Sequence, residues 1–332
     1  MHGLVARDTE RFFVLLKITH QTDLTYSDFI SESVMELRVA PRQEQDQHRL
    51  SFDLALGPPA SVNSYFDWLG NTVHAFNVNE FHNRIQIVAT SVVETDRPNI
   101  SVDGRPDSWP LTLDGDYALY DYLTFGGPVV ECAGLRELVA QINPQPGMPL
   151  GELAWKMLNK IDSDFEYKKG ITTAASPITE VLEKRAGVCQ DFTHLMIGMA
   201  RELKIPARYV SGLVHPDAER FRGYTQTHAW VEMLFPSAGW IGVDPTNKCI
   251  VGPNFVKVAV GRDYRDVPPN KGIYRGKATE TIDVRVHTEP LSQVPPELAA
   301  EKYRSLQIPS HRERQISPRD MTVSQQQEQQ QQ

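Results

Sequence analysis

Between Phe13 and about Asp96 the chain alternates apolar and polar positions with a period of two. Leu50, Phe52, Leu54 and Leu56 interleave with Arg49, Ser51, Asp53 and Ala55, and Ile85, Ile87 and Ala89 with Arg84, Gln86 and Val88. That spacing predicts half-buried strands. In YFDWLGNTVHAF, Gly70-Asn71 can supply the positive φ of a tight hairpin turn. The expected product is an antiparallel β-sandwich over residues 13–97. Arg97 to Trp109 carries Pro, Asn, Asp, Gly and Ser without periodicity, which predicts a linker near 97–110.

Beyond the linker the period changes. Segments 117–125, 132–142 and 149–162 repeat apolar residues every three to four positions, as in Leu135, Leu138, Val139 and Ile142, and read as helices. The clearest stripe lies in 189–203, where Phe192, Leu195, Met196, Met199, Ala200 and Leu203 share one face and Cys189 sits on that face in the first turn. After Pro206 the runs ARYVSGLV, THAWVEMLF, GWIGVDP, FVKVAVGRDY and TIDVRVH are extended. Helices followed by antiparallel strands predict an α+β layer over 111–290. From Pro290 the periodicity stops and the chain ends in QQQEQQQQ, so a disordered Gln-rich tail is expected over 291–332.

Composition narrows the function. The chain has 332 residues, enough for about two domains. Its 40% hydrophobic share allows a sizeable core. Lys plus Arg against Asp plus Glu is 34 − 42 = −8, which provides no basic field for nucleic acid or an anionic membrane surface. Cys132, Cys189 and Cys249 are an odd number without zinc-type spacing, which fits a reducing compartment. The early apolar run Phe12 to Ile18 is interrupted by Lys17 and is too short for an export signal or a span. The expected address is the cytoplasm.

Thiol acyl transfer needs a thiol, an imidazole to take its proton and a polar group to hold the imidazole. Cys189, His228 and Asp244 are the candidates. A thiol in the first turn of a helix faces the positive end of the helix dipole, which favours thiolate, and its backbone N–H is free to stabilise an oxyanion. Gly187 lets the chain turn sharply into that helix. His228 begins one extended run and Asp244 ends the next, with PSAG between them as a hairpin turn. If Leu234 faces Trp240, Trp230 lies opposite Asp244 and His228 is its diagonal neighbour on the same face; a slip of one residue turns Asp244 away.

Each residue also has an ordinary use: a buried thiol, a satisfied histidine, an Asp-Pro turn. Only their joint arrangement makes a candidate triad. Asp191 is expected to bond free N–H groups of the first turn, and His194, about 140° around the helix from Cys189, is rejected as the base. Trp230 is read as core, Cys132 and Cys249 as structural, and the charged GRDYRD as a solvated rim or, less simply, a substrate edge.

The stretch RAGVCQDFTHLMIGMARELKIPARYVSGLV, followed by THAWVEMLFPSAGWIGVDPTN, resembles the core of the transglutaminase-like superfamily, with its Cys, His and Asp blocks in that order. VGRDYRDVPPNKGIYRG is similar to the bacterial branch, and ITHQTDLTYSDFISESVMELRVAPR to the β region that accompanies the core. The resemblance covers about 13–290. It implies a papain-like core with a nucleophile helix packed on an antiparallel sheet, Cys189 as nucleophile, His228 as base and Asp244 as orienting acid. It also implies acyl transfer or hydrolysis at amides of a peptide or protein through a thioester; that chemistry needs no metal or organic cofactor, and no DxDxDG-like calcium loop is present in the sequence. The acceptor stays open among cross-linking transferases, peptidases, amidases and deglycosylating hydrolases. Gln190 and Tyr167 are both candidates for the second oxyanion donor. A non-catalytic peptide- or protein-binding module that keeps the triad is the alternative.

Overall fold

The computed structural model describes residues 13–97, 101–113, 115–216, 227–296, 302–306 and 327–328. The period-two region forms β1 (Phe13–Ile30), β2 (Glu32–Leu37), β3 (Gln47–Gly57), β4 (Val62–Phe66), β5 (Thr72–Val78) and β6 (His82–Asp96). A 3-10 turn at Tyr117–Tyr122 leads to α1 (Ala133–Gln141), α2 (Leu150–Asp164), β7 (Glu166–Tyr167), α3 (Ile178–Lys184), β8 (Ala186–Gly187) and α4 (Cys189–Glu202). Next come β9 (Ala207–Val214), β10 (His228–Phe235), β11 (Gly239–Asp244), β12 (Cys249–Ile250) and β13 (Phe255–Gly261). A short turn at Tyr264–Asp266 precedes β14 (Asn270–Arg275), β15 (Glu280–Pro290), β16 (Lys302–Ser305) and β17 (Gln327–Glu328).

Two five-stranded sheets, ordered β15-β1-β6-β3-β16 and β17-β14-β2-β5-β4, form the sandwich. They bury Leu24, Met35, Leu37, Phe52, Leu54, Phe76, Ile85 and Ile87 between them. The expected extent of the core, 111–290, is corrected at its C-terminal end. β14 pairs with β2 and β15 with β1, so residues 270–290, read from the sequence as core, complete the sandwich. A period-two pattern shows that a segment is a strand but not which strand it joins. The PPNKG stretch runs into β14 with Asn270 fully buried.

The core sheet, ordered β12-β11-β10-β9-β13, is antiparallel throughout. Phe192, Leu195, Met196 and Met199 of α4 share a core with Tyr209, Ala229, Val231, Met233 and Ile241 of the sheet. The sequence stripe predicts one buried face, yet residues 189–201 are all buried, because α1, α2 and α3 enclose the other sides of the helix. The α3 helix has no counterpart in the sequence reading.

β1 ties the two layers together. Its even-numbered residues Leu16 to Tyr26 are all buried. The first of them, Leu16 and Ile18, pack on Leu213, Val256 and Val258 of the core sheet. Leu24 and Tyr26 pack within the sandwich. At a second junction, Asn71 makes two hydrogen bonds to the backbone of Val260, accepting at 2.8 Å and donating at 2.9 Å. Here the hairpin reading is refined: Gly70 takes a φ of 74°, while Asn71 serves as an interlayer clamp. The linker is also pinned, since Trp109 Nε1 donates to the Leu203 carbonyl at 2.8 Å and Asp107 accepts from Ser237 N–H at 2.9 Å.

Most of the expected disordered tail lies outside the described residues. Of the described part, β16 pairs parallel with β3 and β17 pairs with β14. Among the described residues no helix is long and apolar enough to cross a membrane.

Candidate active site

The site begins where the chain enters α4. β7 and β8 pair in parallel, setting Tyr167 beside Gly187, two residues before Cys189, the first residue of the helix. The Asp191 carboxylate reaches back to accept from Val188 N–H at 2.8 Å and from the Thr172 hydroxyl at 2.7 Å. This is the first-turn role read from the sequence, and it also straps residue 172 to the turn. Burial raises the Asp191 carboxyl, opposed by the hydrogen bonds from Val188 and Thr172. Cys189 is 7% exposed, and like Cys132 and Cys249 it is a free thiol.

The hairpin supplies the other two groups. β10 and β11 pair with Leu234 opposite Trp240 and Val231 opposite Val243, the register that the PSAG turn predicts. His228 and Asp244 therefore share a face at the open end of the ribbon. His228 Nε2 and Asp244 Oδ2 are 2.7 Å apart, and neither residue is exposed. The carboxylate, with only acceptors, fixes the tautomer with the proton on Nε2. Among the described residues no nitrogen or oxygen is hydrogen-bonded to His228 Nδ1. Burial alone would lower the imidazole; the charge and hydrogen bond of Asp244, joined by interaction with Cys189, overturn this and raise it to about 10. The three candidates are thus brought together.

Asp244 is saturated with donors. Its Oδ1 accepts from the backbone N–H of Thr246 at 2.9 Å and of Asn247 at 3.3 Å, and its Oδ2 accepts from Asn247 Nδ2 at 2.8 Å besides His228. Sequence reasoning missed Asn247. Its signal was the D-P-T-N spacing, in which an Asp accepts from backbone two and three residues on and so aims the next polar side chain back at itself.

Other expected roles resolve as follows. Gln190 donates its amide to the Ala174 carbonyl at 2.9 Å, and the Tyr167 ring rests edge-on against Phe192. His194 accepts from Tyr264 N–H at 3.1 Å, and burial pushes it down to about 4, so it is a neutral structural group. Trp230 is core, packed edge-on against Phe255 with 5.3 Å between ring centres. A Cβ on Gly212 would fall 2.3 Å from its ring, so glycine is what admits the indole. In GRDYRD the charges pair internally, Arg262 with Asp266 and Arg265 with Asp263, and Asp263 and Tyr264 are buried rather than forming an open rim.

Comparison with known proteins agrees with this architecture. Residues 136–245 match the Transglutaminase-like superfamily, and residues 16–94 match the Bacterial transglutaminase-like N-terminal region. An uncharacterized protein of Mycobacterium tuberculosis (strain H37Rv) is 34% identical over 294 residues, covering 82% of this chain and 92% of that one. A protein-glutamine gamma-glutamyltransferase of Pseudomonas aeruginosa is 34% identical over 118 residues, 33% of this chain and 18% of its own length. The crystal structure of a candidate cysteine protease from Cytophaga hutchinsonii superposes with a TM-score of 0.68 at 23% identity, covering 85% of this chain and 94% of that one, which is a likeness of fold. The chain belongs to the transglutaminase-like superfamily.

Proposed function

We propose that the protein carries out cysteine-dependent acyl transfer or hydrolysis at a carboxamide of a peptide or protein. In this reading the Cys189 thiol gives its proton to His228 Nδ1 and the thiolate adds to the amide carbon. The backbone N–H of Cys189, free of intrahelical partners as the first residue of α4, donates to the oxyanion. Collapse breaks the C–N bond, His228 returns its proton to the departing amine or ammonia, and a thioester remains. Water or an amine, deprotonated by His228, then attacks the thioester and frees the thiol.

The observation that carries this reading is the buried 2.7 Å contact between His228 Nε2 and Asp244 Oδ2, which leaves Nδ1 as the basic nitrogen beside a helix-start thiol. The local likeness to a protein-glutamine gamma-glutamyltransferase favours glutamine side chains as acyl donors. The test is to incubate the protein with a glutamine-containing peptide library and a primary amine and to read product masses, with Cys189→Ala as control. Deamidation, cleavage or amine incorporation that disappears in the control is expected; unchanged masses would refute the proposal.

A further inference from the structure

We infer that Asn247 is a positioning residue, whose side-chain amide holds the orienting carboxylate in the plane of the imidazole; this rests on the acyl-transfer reading above. The backbone N–H groups of Thr246 and Asn247 fix only one oxygen of Asp244, at 2.9 and 3.3 Å. The other oxygen also accepts from His228 Nε2–H, but that donor moves with the ring to be held, so carboxylate and ring could still turn together. The Asn247 amide, 2.8 Å from Oδ2, fixes the second oxygen, and two fixed points define the plane. That same oxygen receives the His228 Nε2–H at 2.7 Å, so the amide sets the direction in which the ring is held.

Asn247 works through Asp244 and not on the ring. Its Nδ2 lies 3.4 Å from His228 Nε2, and both nitrogens are donors, so no hydrogen bond joins them. Two chemical consequences follow. Without the amide, Oδ2 can swing and the ring loses its fixed aim at the thiol, and small displacements of reacting groups are costly to rate. In addition, the N–H donor draws off part of the negative charge that Asp244 presents to the imidazole. Removing it strengthens the carboxylate as a partner, so the imidazolium persists to higher pH.

Peptide-resolved labelling of Cys189 by iodoacetate, followed from about pH 5 to about pH 11, tests this without a known substrate. Iodoacetate is an anion, so its rate rises with the thiolate and falls when the neighbouring imidazolium loses its proton. Asn247→Ala is expected to lower the maximal rate about tenfold and move the alkaline fall upward. An upward move of the fall in Asn247→Ala is what a merely structural role in the turn would not give; Asn247→Asp, whose added charge raises the imidazole whatever the role of Asn247, is read by its maximal rate alone, which is expected to drop likewise. Should Asn247→Ala fail to fold, the shape-conserving Asn247→Asp decides the matter. Wild-type maximal rates in the folded variants, with an unmoved alkaline fall in Asn247→Ala, overturn the inference while leaving the acyl-transfer reading intact. Wild-type Cys189 that reacts no faster than Cys132 and Cys249 refutes that reading, and the role of Asn247 with it.

Discussion

Gly187 lies so close to Asp191 that a Cβ built on it would stand 2.7 Å from both the Cβ and the Oδ2 of that residue. The glycine entering α4 is therefore required by space and not by backbone conformation, since its φ lies outside the left-handed region. The carboxylate it admits is the one that bonds Val188 N–H and Thr172. Gly187→Ala is expected to destabilise the fold by about 1–3 kcal/mol through overpacking and to slow Cys189 labelling. Thermal melts with parallel alkylation check both; an unchanged melting temperature would refute the close-approach account.

Asp244→Asn is expected to preserve the fold and lower turnover by about 10³- to 10⁴-fold. The backbone N–H groups of Thr246 and Asn247 require an oxygen at the Oδ1 place, so the new amide nitrogen must occupy the Oδ2 place and donate to His228 Nε2. The imidazole proton then sits on Nδ1, where it cannot accept from the thiol. Single-turnover rates across variants, with circular dichroism as the folding check, measure this; activity within tenfold of wild type would contradict the tautomer argument.

Stability is expected to fall on both sides of neutrality. Burial pushes His20, His74 and His194 down to about 4 each. The unfolded chain takes up those protons near pH 6.5, so between about 6.5 and about 4 it binds more protons than the native state and acid costs stability. For His228, burial is overcome by Asp244 and Cys189 and the ring is raised to about 10, so its contribution is full below about 6.5 and is lost as pH rises through about 10. Urea melts as a function of pH, repeated with His20→Leu and His74→Phe, should show a shallower acid slope in the variants. An identical slope would show that these rings do not govern acid sensitivity.

Lys257 bridges Glu232 of β10 and Glu44 of the sandwich, each at 2.5 Å, and Arg208 reaches Glu232 at 2.7 Å. Burial raises the Glu232 carboxyl, but the paired cations win and hold it at about 2. Lys257→Met strands part of that buried charge and is expected to cost about 3 kcal/mol or more. Adding Glu232→Gln should restore much of the loss. Denaturant midpoints for the single and double variants test it, and additive losses would mean that the pair is uncoupled.

The hairpin of β10 and β11 was readable as two strands and a turn, while its register was a condition on Leu234 facing Trp240 that the observed pairing meets, and it carries His228 and Asp244 to one face. The α4 helix was readable from its stripe, though not its burial on every side, since Thr193, Gly198 and Arg201 do not announce themselves as interior. Arg201 is tolerated there because it donates to the carbonyls of Tyr122, Thr124 and Arg262, far off in the sequence, and of Ala207 at the start of β9. The pairing of β14 with β2 and of β15 with β1 was hidden for a related reason: alternation names the faces of a strand and not its neighbour. Asn247 was hidden because a turn-forming asparagine and a carboxylate-holding asparagine look alike until the hairpin closes.

The long β1 strand, which packs on the core sheet with its first half and on the sandwich with its second, has a practical corollary. A fragment begun at residue 111 would leave Leu213, Val256 and Val258 bare to water and would strip β14 and β15 of the ladders they complete. The half that holds the thiol is in this respect not a detachable module, and any recombinant dissection that separates the two regions at the linker cuts through a shared interior.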